Sequence, residues 1–173
     1  MKMKFIAIMG IMLTLGSVNA QEKLAQNTII GVLTGNQSQV IQLAEAFPED
    51  KYDWRPAEGI FSVREALLHV ASANYFLMTK MGFAPPEDLD MMGLSAITGK
   101  NNVINALKAS NTFVLENIPL IEDAKLGKEL DFGFMQTNTL GGLLAVMEHN
   151  GEHKGQLIAY ARSNGIAPPW SVQ

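Results

Sequence analysis

The sequence predicts an all-α fold, a four-helix bundle, and three observations carry that prediction. Four stretches repeat apolar residues at helical spacing, with capping or breaking residues at their ends. No stretch alternates apolar and polar residues over enough positions to read as a strand. The 173 residues, 47% hydrophobic and 17% charged, suffice for one domain with a real core and are too apolar for a disordered chain.

The amino end reads apart from the rest. Lys2 and Lys4 make a small positive start, Phe5 to Gly16 is almost continuously apolar, and Val18-Asn19-Ala20 places small residues before Gln21. That is the three-part pattern of a secretory signal peptide over residues 1–20. Its apolar run is about half the ~20 residues a spanning helix needs, so no permanent membrane anchor is expected. With no cysteine after the cleavage site, lipid attachment of the bacterial lipoprotein kind is excluded. Cleavage leaves 153 residues and lowers the net charge from -4 to -6, because two lysines and no acidic residue depart. An exported product, periplasmic or secreted, is expected, with residues 21–173 as one domain.

The first helix runs from about Lys23 to Ala46, with Ile29, Leu33, Val40, Leu43 and Ala44 on its apolar face. Gly31 and Gly35 inside it suggest a close neighbour. Phe47-Pro48 closes it, since the residue before proline is disfavoured in the helical region. The second helix is announced by Ser62 and Glu65, a capping box in which each side chain satisfies an orphaned backbone donor. Val63, Ala66, Leu67, Val70, Ala73, Leu77 and Met81 mark its buried face, and Gly82 with Pro85-Pro86 ends it.

A third helix from about Lys100 to Asn117 carries Val103, Leu107 and Val114, and Pro119 stops it. The fourth begins near Asn138 or Thr139 and runs to Asn164, with Gly165 as its carboxy-terminal cap. Leu120 to Gln136 reads as an irregular connection with a short extended piece near Phe132 to Met135. The long connection from Met81 to Gly99 allows a non-sequential helix order.

Composition trims the functions. No cysteine means no disulfide, no thiolate metal site and no cysteine nucleophile. The acidic balance shows no electrostatic footprint for nucleic acid. No phosphate-cradling glycine loop, nucleotide fingerprint or nucleophilic serine motif is present. Three histidines remain.

His149 and His153 are four apart on the fourth helix, so their rings project from one face on successive turns. Ala145, Val146, Gln156, Leu157 and Tyr160 share that face and turn it inward. His69 shares its stripe with Ala66, Ala73 and Phe76, so it too is expected to point toward the core. Three imidazoles from two helices, with further positions open, make the arrangement of a catalytic rather than a closed structural site. Zinc, nickel, iron and manganese all accept imidazole, so the ligand type does not choose among divalent metals. The plainer alternative is three hydrogen-bonded core histidines.

His149-Asn150-Gly151-Glu152-His153 also matches H-x-x-E-H, the signature of inverted zinc peptidases, in which the glutamate is the general base. Those enzymes need a glutamate ligand far downstream. Only 20 residues follow His153, and none is acidic, which argues against a peptidase. Glu152 is then a surface carboxylate or a partner of the site. Gln156 is placed to hydrogen-bond a ligand, and Tyr160 to donate at the pocket edge or simply to fill the core. Gly151 and Gly155 are spaced for close helix packing, and Trp54, Arg55 and Pro56 either line a pocket mouth or cover the core.

Pro48-Glu49-Asp50-Lys51-Tyr52-Asp53-Trp54-Arg55-Pro56, followed by Ser62 and the helix bearing His69, resembles the opening half of DinB-like proteins. The run His149-Asn150-Gly151-Glu152-His153-Lys154-Gly155-Gln156-Leu157, continuing through Arg162 to Pro169, resembles their closing half. The resemblance covers nearly the whole chain after residue 20. It implies a four-helix bundle of up-down-down-up type, often a homodimer, with a divalent metal held by His69, His149 and His153. It also implies transferase or isomerase chemistry with a small-molecule thiol such as bacillithiol, mycothiol or glutathione. The family name comes from DNA-damage induction and implies no contact with DNA. Many relatives are cytosolic, where those thiols are kept, so an exported chain departs from the pattern. The reading that results is a metal-dependent enzyme activating a thiol or water nucleophile on a small-molecule substrate. The competing reading is a non-catalytic metal- or ligand-binding module of the cell envelope.

Overall fold

The computed structural model describes residues 22–171, so the signal peptide expected at 1–20 lies outside the described residues. Four helices carry the fold: α1 (Leu24–Ala46), α2 (Val63–Lys80), α3 (Lys100–Asn117) and α4 (Thr139–Ser163). Their ends follow local chemistry. Ser62 Oγ accepts from the Glu65 amide at 3.2 Å and Glu65 Oε2 accepts from the Ser62 amide at 2.7 Å, completing the expected capping box. The Asn138 side chain accepts from the Gly141 amide and caps α4. At the other end of α4, the Ile166 amide reaches Ala161 O and the Gly165 amide reaches Arg162 O, with Gly165 at φ 71°. That left-handed terminator is one that glycine adopts without strain.

Helix α1 packs on α4 and α3, and α2 packs on α3 and α4. The directions follow from which residues share a core. Val40 to Phe47 of α1 join Val63 to Ala71 of α2, Val103 to Leu107 of α3 and Leu157 to Ala161 of α4. Ile29 and Leu33 instead join Leu77 and Met78, Val114, and Leu143 and Val146. Helices α1 and α4 therefore run one way, and α2 and α3 run the other.

Between the two clusters lies a polar layer. Asn74 Nδ2 donates to Ser110 Oγ at 3.1 Å and to Asn111 Oδ1 at 3.0 Å, and Asn150 Nδ2 donates to Asn74 Oδ1 at 2.9 Å. All four residues are buried. Such a network is stable only when its members pair, and pairing fixes the register of the three helices.

The connection between α3 and α4 corrects one expectation. The extended pieces are β1 (Glu129–Asp131) and β2 (Gln136–Asn138), an antiparallel ribbon with Leu130 opposite Thr137. Phe132 to Met135, expected to be extended, forms the turn between them. Asp131 accepts from the Gly133 amide, and Gly133 sits at φ 89°, so the chain reverses there. Six residues of strand are too few to show an alternating pattern in sequence.

The glycine expectations are also corrected. A Cβ on Gly31, Gly35 or Gly155 would meet open space, and one on Gly151 only an ordinary contact with Asn36. Close approaches fall instead at Gly93 against Asp90, at Gly141 against Thr137, and at Gly142, where a Cβ would lie 2.9 Å from the Phe132 ring and 3.0 Å from Met81 Sδ. At Gly142 the missing side chain lets the buried Phe132 seat the hairpin against α4.

Candidate metal centre

His149 and His153 project from one stripe of α4, and antiparallel α2 brings His69 across from them. The three ring centroids lie 4.4–4.9 Å apart. One nitrogen from each ring can be chosen so that all lie within 4.8 Å of one another. His149 Nε2 and His69 Nε2 are 3.1 Å apart. That is close to the ~3.3 Å separating two imidazole nitrogens on one tetrahedral cation. Among the described residues no carboxylate joins the cluster as a fourth ligand.

At His149 and His69 the surroundings favour the neutral imidazole, the form that binds metal. Burial, with His153 and His69 alongside, lowers the His149 pKa to about 4. His69 is also lowered, first by burial and then by His153, while Glu152 opposes the shift. His153 is buried and His149 half-buried. His69 is partly exposed, at the edge of the bundle rather than pointing into its core as its stripe suggested, so the cluster opens to solvent on the α2 side.

A relay of hydrogen bonds fixes His153. Its Nδ1–H donates to Gln156 Oε1 at 2.6 Å, Gln156 Nε2 donates to Tyr160 Oη at 2.7 Å, and the Tyr160 hydroxyl donates to Phe61 O at 2.9 Å. With Nδ1 protonated, Nε2 keeps its lone pair free, as a ligand requires. The three-and-four spacing of 153, 156 and 160 puts all three on one helical stripe. Trp54 meets the Tyr160 ring edge-on, at 5.5 Å between centroids, so the loop before α2 locks the far end of the relay. His149 has no such partner. Its Nδ1 is buried without a hydrogen bond.

The structure thus brings together His69, His149, His153, Gln156 and Tyr160. Glu152 stands apart from the relay, exposed on α4, and borders an opening of about 460 Å3 with His153, Gln156 and Phe61. Sequence reasoning missed the loop Gly59 to Phe61, whose Phe61 ring packs 5.1 Å from His69. It also missed a cavity on the other flank, where Phe76, Met91 and Phe134 come together. Phe134 lies in the misread turn, and nothing local in the sequence ties it to His69.

Comparison with known proteins agrees with this architecture. The sequence model of the DinB family matches residues 22–172. The uncharacterised protein YjoA of Bacillus subtilis (strain 168) is 26% identical over 144 residues, covering 80% of this chain and 90% of that protein. Among solved structures, a DinB-like protein from Bacillus cereus ATCC 10987 superposes with a TM-score of 0.71 at 15% identity, over 83% of this chain and 95% of that one. The crystal structure of B. subtilis YjoA, described as DinB-like, gives 0.64 at 23% identity, over 80% and 92%. A conserved protein of Enterococcus faecalis gives 0.66 at 14% identity, over 79% and 95%. At these identities the structural likeness speaks for the fold.

Proposed function

The chain belongs to the DinB family, and from that premise we propose that His69, His149 and His153 hold a divalent metal in an exported, metal-dependent enzyme acting on a small molecule. One observation carries the reading: three imidazole nitrogens converge within 4.8 Å and no carboxylate among the described residues completes the set. When bound, such a cation is a Lewis acid that lowers the pKa of a thiol or water, so that the nucleophile exists near neutral pH.

The chain's own residues do the rest. Burial keeps His149 neutral. Gln156 holds the proton of His153 on Nδ1, and Tyr160, whose hydroxyl donates to the Phe61 carbonyl, holds Gln156. Glu152 borders the opening beside His153 and Gln156. Because the chain has no cysteine, any thiol must arrive with a cofactor or substrate. Export rests on the residue pattern of 1–20, and homodimer formation on the family resemblance.

Metal analysis of the purified protein, without added metal, is the direct test. Wild type should carry stoichiometric metal, and His149→Ala and His153→Ala should lose it. Equal metal in all three would overturn the assignment. Turnover of thiol-transfer or hydrolytic substrates that disappears on chelation supports the enzyme. Tight metal with no such turnover supports the non-catalytic envelope module instead. Amino-terminal sequencing of the exported product should begin at Gln21.

A further inference from the structure

Two flanks of the histidine cluster differ in chemistry. On one side, Arg55, Glu65 and Ser95 border an opening of about 560 Å3 that His69 also lines. On the other, His69 and His149 form one wall of a cavity of about 520 Å3 whose remaining surface is mostly apolar. That size falls in the range of small-molecule sites.

The helical repeat explains the cavity. Ala73 lies one turn from His69, and Ala145 one turn from His149, so the two facing helices carry their smallest side chains next to the imidazoles. Phe76 follows two turns beyond His69 on the same stripe. Phe134 closes the space from the hairpin turn, its ring centroid 6.5 Å from that of Phe76 and the planes 30° from parallel. Phe134 is 71% exposed, although Phe132 two residues earlier is buried. The turn that anchors one ring in the core therefore holds the other over the cavity. Polar groups on the wall are few, and the charged one is the Glu148 carboxylate. No lysine or arginine belongs to the lining. Lys80 lies over the Phe76 ring, 5.6 Å from its centroid, outside it.

We propose that this cavity takes a neutral, flat apolar group of the substrate, an aryl group packed against Phe76 and Phe134 beside the histidines, and that it disfavours carboxylates on that group. The proposal deepens the metal-centre reading by naming the substrate class, and rests on that reading for its role in a reaction. Aromatic rings gain from offset or edge contact beyond simple burial. A carboxylate on the aryl group, on the Phe76 and Phe134 side away from the histidines, would lose hydration, meet Glu148 and find no lysine or arginine in the lining.

Matched probes test it: naphthol, neutral at pH 7, against naphthoate, the same ring system bearing a negative charge. Affinities for the full chain would be measured by saturation-transfer NMR titration after chelator treatment, so that no cation on the histidines recruits the carboxylate, with metal content measured on the untreated protein. Naphthol should bind about tenfold or more tightly than naphthoate. Ala73→Trp should abolish naphthol binding by filling the cavity, and the exposed Phe134→Ser should weaken it several-fold while leaving the melting temperature unchanged. Equal affinity for the two probes, or naphthol binding untouched by Phe134→Ser, overturns the proposal. Selective naphthol binding by protein that takes up no metal overturns the metal centre and leaves the cavity standing. Metal retained without naphthol selectivity does the reverse.

Discussion

The two halves of the bundle are closed in different ways, and the difference separates stability from function. At the end built on Phe47, Leu67, Leu107 and Leu157, the covering loop is tied down at several points. The Tyr52 hydroxyl donates to Ala44 O at 2.7 Å, the Val63 amide reaches Trp54 O, and the Arg64 amide reaches Tyr52 O. Lys100 Nζ donates to the carbonyls of Glu45 and Phe47 at the end of α1. The end built on Leu33, Met78, Ile118 and Leu143 is covered by a ribbon of two three-residue strands, with Phe132 buried and Leu126, Leu130 and Met135 packed beside it. This second half leaves an apolar cavity beside the histidines and an aromatic side chain in solvent. The ligand cluster sits where the halves meet, flanking Asn150 of the polar layer. The first half positions the relay that orients His153, and the second offers the apolar space beside the imidazoles.

The sharpest way to break this comparison is to truncate one apolar side chain in each half. Leu67 is fully buried, so Leu67→Ala should cost about 2–5 kcal/mol in urea unfolding. Phe134→Ser should fall within about 0.5 kcal/mol of wild type. Similar losses at the two sites would erase the distinction. At the boundary between the halves, Asn74→Ala leaves Asn111 Oδ1 without its partner, while Ser110 keeps Leu107 O and Asn150 Nδ2 keeps Val146 O, and should cost ~1–3 kcal/mol. The same denaturation series would read it.

Gly142→Ala sharpens the account of the hairpin. The new methyl meets the Phe132 ring and Met81, and only the latter is flexible, so a loss at the lower end of ~1–3 kcal/mol is expected. Naphthol binding should weaken in that variant, because Phe132 and Phe134 share one turn. Unchanged binding would uncouple the anchor from the cavity.

The smallest effect concerns the cap of α2. Glu65 has a lowered pKa, chiefly from the Ser62 backbone hydrogen bond, with Arg55 adding to it. The folded value lies below the unfolded one, so its stabilisation is present above the unfolded pKa and lost as pH falls through the folded one. Melting temperature should therefore decline more steeply with acidification below about pH 4.5 in wild type than in Glu65→Gln. Parallel profiles would remove Glu65 from the acid response.

Much of this was legible in residue order. The period of apolar residues, the Ser62-Glu65 box, the Asn138 start and the Gly165 stop are local signals, and local backbone chemistry decides them. The pairing of His149 with His153 and the alignment of Gln156 and Tyr160 follow from helical spacing alone. The hairpin was hidden because its strands are shorter than any pattern that would reveal them. The glycine expectations failed for a related reason. Spacing tells which face a glycine occupies, and only a neighbour's position tells whether that face is crowded. Gly93, Gly141 and Gly142, with no pattern around them, were the crowded ones.

The sequence by itself determined four helices, their ends, and three histidines on helical faces, because each depends on interactions within a few turns. The tertiary structure alone decided that His69 lies at the bundle edge beside the other two. It also decided that Asn74, Ser110, Asn111 and Asn150 form one layer, and that Phe134 hangs over an apolar cavity. These depend on how helices with similar apolar faces choose neighbours and directions. That choice is made by the summed packing of the whole core, which no single stretch of sequence contains.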